Sequence, residues 1–114
     1  MSAPLLGTNA WKTFVANACG TAPRKRTAAQ REALRIAIKL DAGFSFCRTV
    51  EARHAFTERL SVQDAFTLWC VMRNGEDPAS CEDFADIVRT VNPPASCAAF
   101  DRLCYDYDDS EPMR

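Results

Sequence analysis

Histidine is nearly missing from this chain of 114 residues, with His54 alone. Glycine is scarce at four residues, and no Cys-x-x-Cys occurs. Structural zinc takes four Cys or His ligands, usually in closely spaced pairs, so a zinc site is not expected. The glycine-rich signatures of a phosphate loop, a dinucleotide fold and a hydrolase elbow are all missing, which leaves those three chemistries without a carrier. No stretch approaches the ~18 apolar residues of a membrane span. The opening MSAPLLGTNA has neither a basic start nor a long apolar run, so a secretory signal is not expected. The expected compartment is the cytoplasm of the producing or host cell. The chain reads as non-enzymatic, with no cofactor and no metal.

What is present is ordinary globular material: 47% hydrophobic and 25% charged residues. The length fits one domain able to bury a modest core. Abundant alanine with few glycines favours helix. The expected architecture is all-α, a bundle of about five or six short helices over residues 1–107. An acidic tail, 108–114, is expected to fray. Six cysteines stand at 19, 47, 70, 81, 97 and 104. Most fall on apolar helical faces, where a free thiol behaves as a small hydrophobe, so they read as buried and reduced.

Helix starts are legible. Thr8 precedes Trp11, Phe14, Val15, Ala18 and Cys19, an i, i+3, i+4 pattern, and Gly20 is placed to end it. Thr27-Ala-Ala-Gln30 reads as a capping box. It opens a helix to about Asp41 with the apolar stripe Ala33, Leu34, Ala37, Ile38 and Leu40, stopped by Ala42-Gly43. Residues 44–60 fit two periods: a short strand near 44–50, or a helix from about Thr49 to Arg59. Ser61-Val-Gln-Asp64 caps the next helix, which carries Val62, Ala65, Phe66, Trp69, Cys70 and Met72 and ends at Asn74-Gly75. The tetrapeptide Pro-Ala-Ser-Cys then occurs twice, at 78–81 and 94–97, each time followed by phenylalanine, at 84 and at 100. Both copies read as helix punctuation: the proline ends the preceding run, Ser80 or Ser96 caps, and the phenylalanine packs inward.

Glu51, His54 and Glu58 share one side of a helix with the Glu-x-x-His spacing of carboxylate-bridged metal sites. Such sites need two such motifs, and this chain has one, so a solvated face with nearby Arg48 and Arg53 is the expected reading. Cys47 with His54 as a nucleophile and base lacks an orienting residue and an oxyanion donor set.

Charge is more informative. The net charge is −1, yet residues 1–60 hold ten basic residues against four acidic, and residues 61–114 hold four against eleven. Arg24, Lys25 and Arg26 precede a helix on which Arg31, Arg35 and Lys39 recur at i, i+4 and i+8, one exposed basic stripe. Glu76, Asp77, Glu82, Asp83 and Asp86 gather around one helix start, and Asp101, Asp106, Asp108, Asp109 and Glu111 around the last helix. Acids at a helix N-terminus complement its dipole, whereas those at 106–111 oppose it. The expected function is a protein–protein interaction module. Its concrete form is a small inhibitor or regulator of phage or mobile-element type. Such a protein docks electrostatically on a larger nucleic-acid-handling complex, with carboxylates standing in for phosphates. The alternatives are a nucleic-acid-binding regulator using the basic 24–39 segment and a self-associating structural or assembly component.

Overall fold

The computed structural model describes residues 8–75 and 79–110, and of residues 9, 79 and 108–110 the backbone alone. Six α-helices follow in order: α1 (Asn9–Gly20), α2 (Ala28–Phe46), α3 (Val50–Glu58), α4 (Val62–Arg73), α5 (Ala79–Val91) and α6 (Pro94–Ser110), with one 3-10 turn at Pro23–Lys25. Four starts are made by the residues whose side chains can replace a missing helical acceptor. Thr8 Oγ1 accepts from Trp11 N–H at 3.1 Å, Thr49 from Ala52 at 3.0 Å, and Ser61 from Asp64 at 3.1 Å. At Thr27 the box is complete: its hydroxyl accepts from Gln30 N–H at 3.1 Å, and Gln30 accepts from Thr27 N–H at 2.9 Å. Each such cap contributes about 1 kcal/mol.

Helix α4 forms the middle of the bundle. Every residue from Ala65 to Cys70 is buried, as expected for a helix surrounded by others, and α4 packs against α1, α2, α5 and α6 while α3 rests on α5. Thr67, buried in that run, satisfies its hydroxyl by donating to Gln63 O at 2.8 Å. Two aromatic chains tie the helices together. Trp11, Phe66, Trp69 and Tyr107 link α1, α4 and α6, with ring centroids 5.8, 6.2 and 5.3 Å apart. Phe56, Phe44, Phe84 and Phe100 link α3, α2, α5 and α6 at 5.9, 5.5 and 6.4 Å. The radius of gyration, 13.6 Å, matches the ~13 Å of a compact domain this long.

Four details differ from the sequence reading. Helix α2 does not stop at Ala42-Gly43 but runs on to Phe46, which removes the short strand near 44–50. A Cβ on Gly43 would lie 3.0 Å from the Phe56 ring, so this glycine is a notch that lets α3 approach α2. Gly20 is still helical; Thr21 ends α1, its N–H reaching Ala18 O at 3.3 Å and its hydroxyl reaching Asn17 O at 2.6 Å. In neither Pro-Ala-Ser-Cys copy does the serine cap: α5 begins at Ala79 and α6 at Pro94, so Ser80 and Ser96 lie inside the first turn. Pro94 takes the first helical position, where its missing N–H is not needed, and Cys97 N–H closes that turn on Pro93 O at 3.0 Å. The two phenylalanines do pack inward, each fully buried.

Candidate interaction surfaces

The basic stripe folds into a groove of about 570 Å³ along the first half of α2 and the 3-10 turn before it. Arg26, Arg31, Arg35 and Lys39 edge it, Glu32 is the one acid among its lining residues, and Pro23, Ala28 and Ile38 supply apolar surface. Its arginines differ in what holds them. Arg26 Nε donates to Ala18 O at 2.8 Å, placing a cation at the C-terminal end of α1, and Arg31 Nη1 donates to Arg26 O at 2.7 Å. These two bonds fasten the 21–27 link to both helices. Arg35 meets only the exposed Glu32, at 3.3 Å, a pair worth a few tenths of a kcal/mol. Lys39, Arg24 and Lys25 are exposed and make no ion pair with the described residues. Ile38, expected on the buried stripe, is 47% exposed, because it follows Arg31 and Arg35 at i+7 and i+3 and shares their side of the helix.

The acidic residues are dispersed differently. Arg89 sits between α5 and α6, with Nε 2.9 Å from Asp101 and Nη1 3.3 Å from Asp86. Asp106 takes Lys12 Nζ at 2.7 Å from α1 and Arg102 Nε at 3.3 Å within α6. The Lys12 hydrogen bond, with the charges of Lys12 and Arg102, holds the Asp106 carboxyl below the usual carboxylate range against the opposing effect of desolvation. Glu82 and Asp83, in the first turns of α5, are exposed and make no ion pair with the described residues. Asp108 and Asp109 lie in the last turn of α6; Glu76, Asp77 and Glu111 lie outside the described residues. Glu82, Asp86 and Asp101 border a hollow of about 430 Å³ with Arg73, Arg89 and Tyr105. Tyr105 is 67% exposed.

A third hollow, about 460 Å³, is lined by Asp41 of α2, Arg53 and His54 of α3, and Asp83 and Asp86 of α5, among others. Desolvation raises the Asp41 carboxyl above its ordinary value. Glu51 and Glu58 are exposed and do not line this hollow. Among the described residues, no three His, Cys, Asp or Glu side chains could hold a metal ion together, and no helix is long and apolar enough to cross a membrane.

All six cysteines are unbridged. Cys19 and Cys70 meet between α1 and α4: their hydrogen bond holds the Cys19 thiol down, while burial and then that same bond push the Cys70 thiol well up. Sequence reasoning missed the apolar members of the charged faces. Ile38 was hidden by a period that fits two faces, and Tyr105 by its position between the buried Cys104 and Tyr107. Comparison with protein-family models, with curated proteins and with solved structures finds no match to this chain.

Proposed function

We propose that this chain is a protein–protein interaction module that docks by charge, with the α2 groove as its main docking face. The observation that supports this reading is the convergence of Arg26, Arg31, Arg35 and Lys39 on one groove against the single acid Glu32, with Arg24 and Lys25 on the adjoining turn. The acidic side is the weaker candidate, since Asp86, Asp101 and Asp106 are engaged by the protein's own Arg89, Lys12 and Arg102. The partner's chemistry is then an acidic protein surface. A small inhibitor or regulator of phage or mobile-element type is the concrete form of this reading, and it rests on size and charge. A nucleic-acid phosphate backbone would satisfy the same cations, but the exposed Ile38 among them favours a partner with apolar side chains.

The test compares what wild type and an Arg35→Glu/Lys39→Glu variant retain from the same lysate. Wild type is expected to hold a defined protein set at low salt and to release it as salt rises, and the variant to lose that set while melting at the same temperature. Retention of the same proteins by both, or of duplex DNA alone, would overturn the reading.

A further inference from the structure

The hollow of about 460 Å³ bordered by Asp41 and Asp83 has apolar lining, an uncovered apolar edge and a negative charge left over. Phe44 and Met72, both buried, and the half-buried Ile87 supply the apolar lining. Val50, which also lines the hollow, is 59% exposed, and Phe46, next in the chain to the lining residue Ser45, is 78% exposed. Phe46 ends α2 and Val50 begins α3, so two large apolar side chains stand uncovered at one corner of the bundle.

The charges do not cancel. Asp86 is held by Arg89 at 3.3 Å. Asp41 and Asp83 make no ion pair with the described residues. Arg53, the one guanidinium in the lining, turns its Nε to Cys47 O at 3.1 Å and pairs with none of the three acids. With His54 counted as neutral, Arg53 and Arg89 set against Asp41, Asp83 and Asp86 leave one carboxylate uncompensated. Asp41 is the sheltered one: it is half-buried, and burial alone raises its carboxyl above the ordinary value. A carboxylate that has lost water and gained neither a donor nor a cation is stabilised when a cation arrives.

We propose that this hollow and the Phe46–Val50 corner form a second docking face, which receives an arginine side chain of another protein together with the apolar residues beside that arginine. The guanidinium meets Asp41, its stem lies along the apolar lining, and the flanking apolar residues cover Val50 and Phe46. Arginine fits better than lysine because its charge is more weakly hydrated and enters a sheltered site at lower cost. The volume lies in the lower part of the range of ligand pockets, ~300–1,000 Å³, which suits one long side chain. This face is opposite in sign to the α2 groove and does not depend on it: the groove takes an acidic partner, the hollow a basic segment.

Nuclear magnetic resonance titration of the isotope-labelled full chain tests it, with acetyl-Leu-Arg-Leu-amide as the probe. Amide signals within residues 41–54 and 80–87 are expected to move and to saturate with a Kd of about 1 mM, as befits so small a contact. The same peptide with citrulline, which keeps the shape of arginine without its charge, should bind wild type about tenfold more weakly, a loss of one ion pair in a sheltered site. Asp41→Asn/Asp83→Asn should lose a similar factor for the arginine peptide. Propylguanidinium, the arginine side chain alone, should bind wild type several-fold more weakly than the peptide, and Phe46→Ser/Val50→Ser should erase that difference. Melting curves check that the variants fold, and the arginine–citrulline comparison needs wild type only. Equal binding of the arginine and citrulline peptides, signal changes confined to residues outside the two segments, or undiminished binding by Asp41→Asn/Asp83→Asn would overturn the proposal. Equal affinity of wild type for propylguanidinium and for the peptide would overturn a protein segment as the occupant.

Discussion

Replacing Arg26 by alanine separates two roles that the basic groove mixes. Arg26 is half-buried, its Nε donates to Ala18 O at 2.8 Å, and its own carbonyl accepts from Arg31 at 2.7 Å. The first bond satisfies a carbonyl in the last turn of α1, where a cation is also favoured by the helix dipole. A hydrogen bond to a charged group contributes about 1.5–3 kcal/mol when well sheltered, and partial exposure lowers that. The expected cost of Arg26→Ala is therefore about 1–2 kcal/mol, or roughly 5–10 °C in melting temperature for a domain of this size. Arg35→Ala, with its side chain half exposed and one surface pair, should change stability by less than about 0.5 kcal/mol. Urea denaturation followed by circular dichroism measures both. If Arg26→Ala costs no more than Arg35→Ala, the claim that Arg26 is structural and Arg35 is available for a partner is wrong.

Three further outcomes follow from the same structure. Phe84 is fully buried and meets Phe44 at 5.5 Å and Phe100 at 6.4 Å. Phe84→Ala should cost about 3–5 kcal/mol and Phe84→Leu clearly less, and equal costs in denaturation would contradict the aromatic chain. Of the six thiols, Cys47 and Cys97 are half-buried and the other four buried, so a thiol reagent should consume two groups quickly and the remainder only on unfolding. Uniform fast reaction would count against that core. Asp106 has its folded pKa lowered, first by the Lys12 hydrogen bond. Its contribution is present above the unfolded value, ~3.9, and is lost as pH falls through the lower folded value. Lys12→Met should therefore destabilise at neutral pH and match wild type at the acid end. A stability gap between the two that does not shrink there would refute the pairing.

Most of the fold is written locally in the chain. Thr8, Thr27, Thr49 and Ser61 each precede an apolar period and each accepts the N–H three residues on, so these starts need nothing from the tertiary structure. The misread positions are those where a residue has two uses. Gly43 signals a helix end in isolation, but here it makes room for Phe56 of α3, a contact that depends on a neighbouring helix and has no local signature. Ser80 and Ser96 are good caps, yet at the second copy proline preceding by two residues fits the first helical position equally well, and packing of Phe84 and Phe100 is met by either frame. At the surface, the alignment of Arg31, Arg35 and Lys39 along one side of α2 was legible from spacing alone. Which charges the protein consumes itself was not, because Lys12 with Asp106 is a contact across 94 residues and Arg89 with Asp101 joins two helices.

The most direct test of charge-guided docking through α2 is a photo-cross-linking comparison at two exposed apolar positions, Ile38 inside the groove and Val50 outside it. A benzophenone side chain at each position is irradiated in lysate at low and at high salt, and products are identified by mass. Cross-links from position 38 to an acidic protein, lost at high salt and missing from position 50, are the predicted result. Equal products from the two positions, or products from position 38 that persist in high salt, would contradict it.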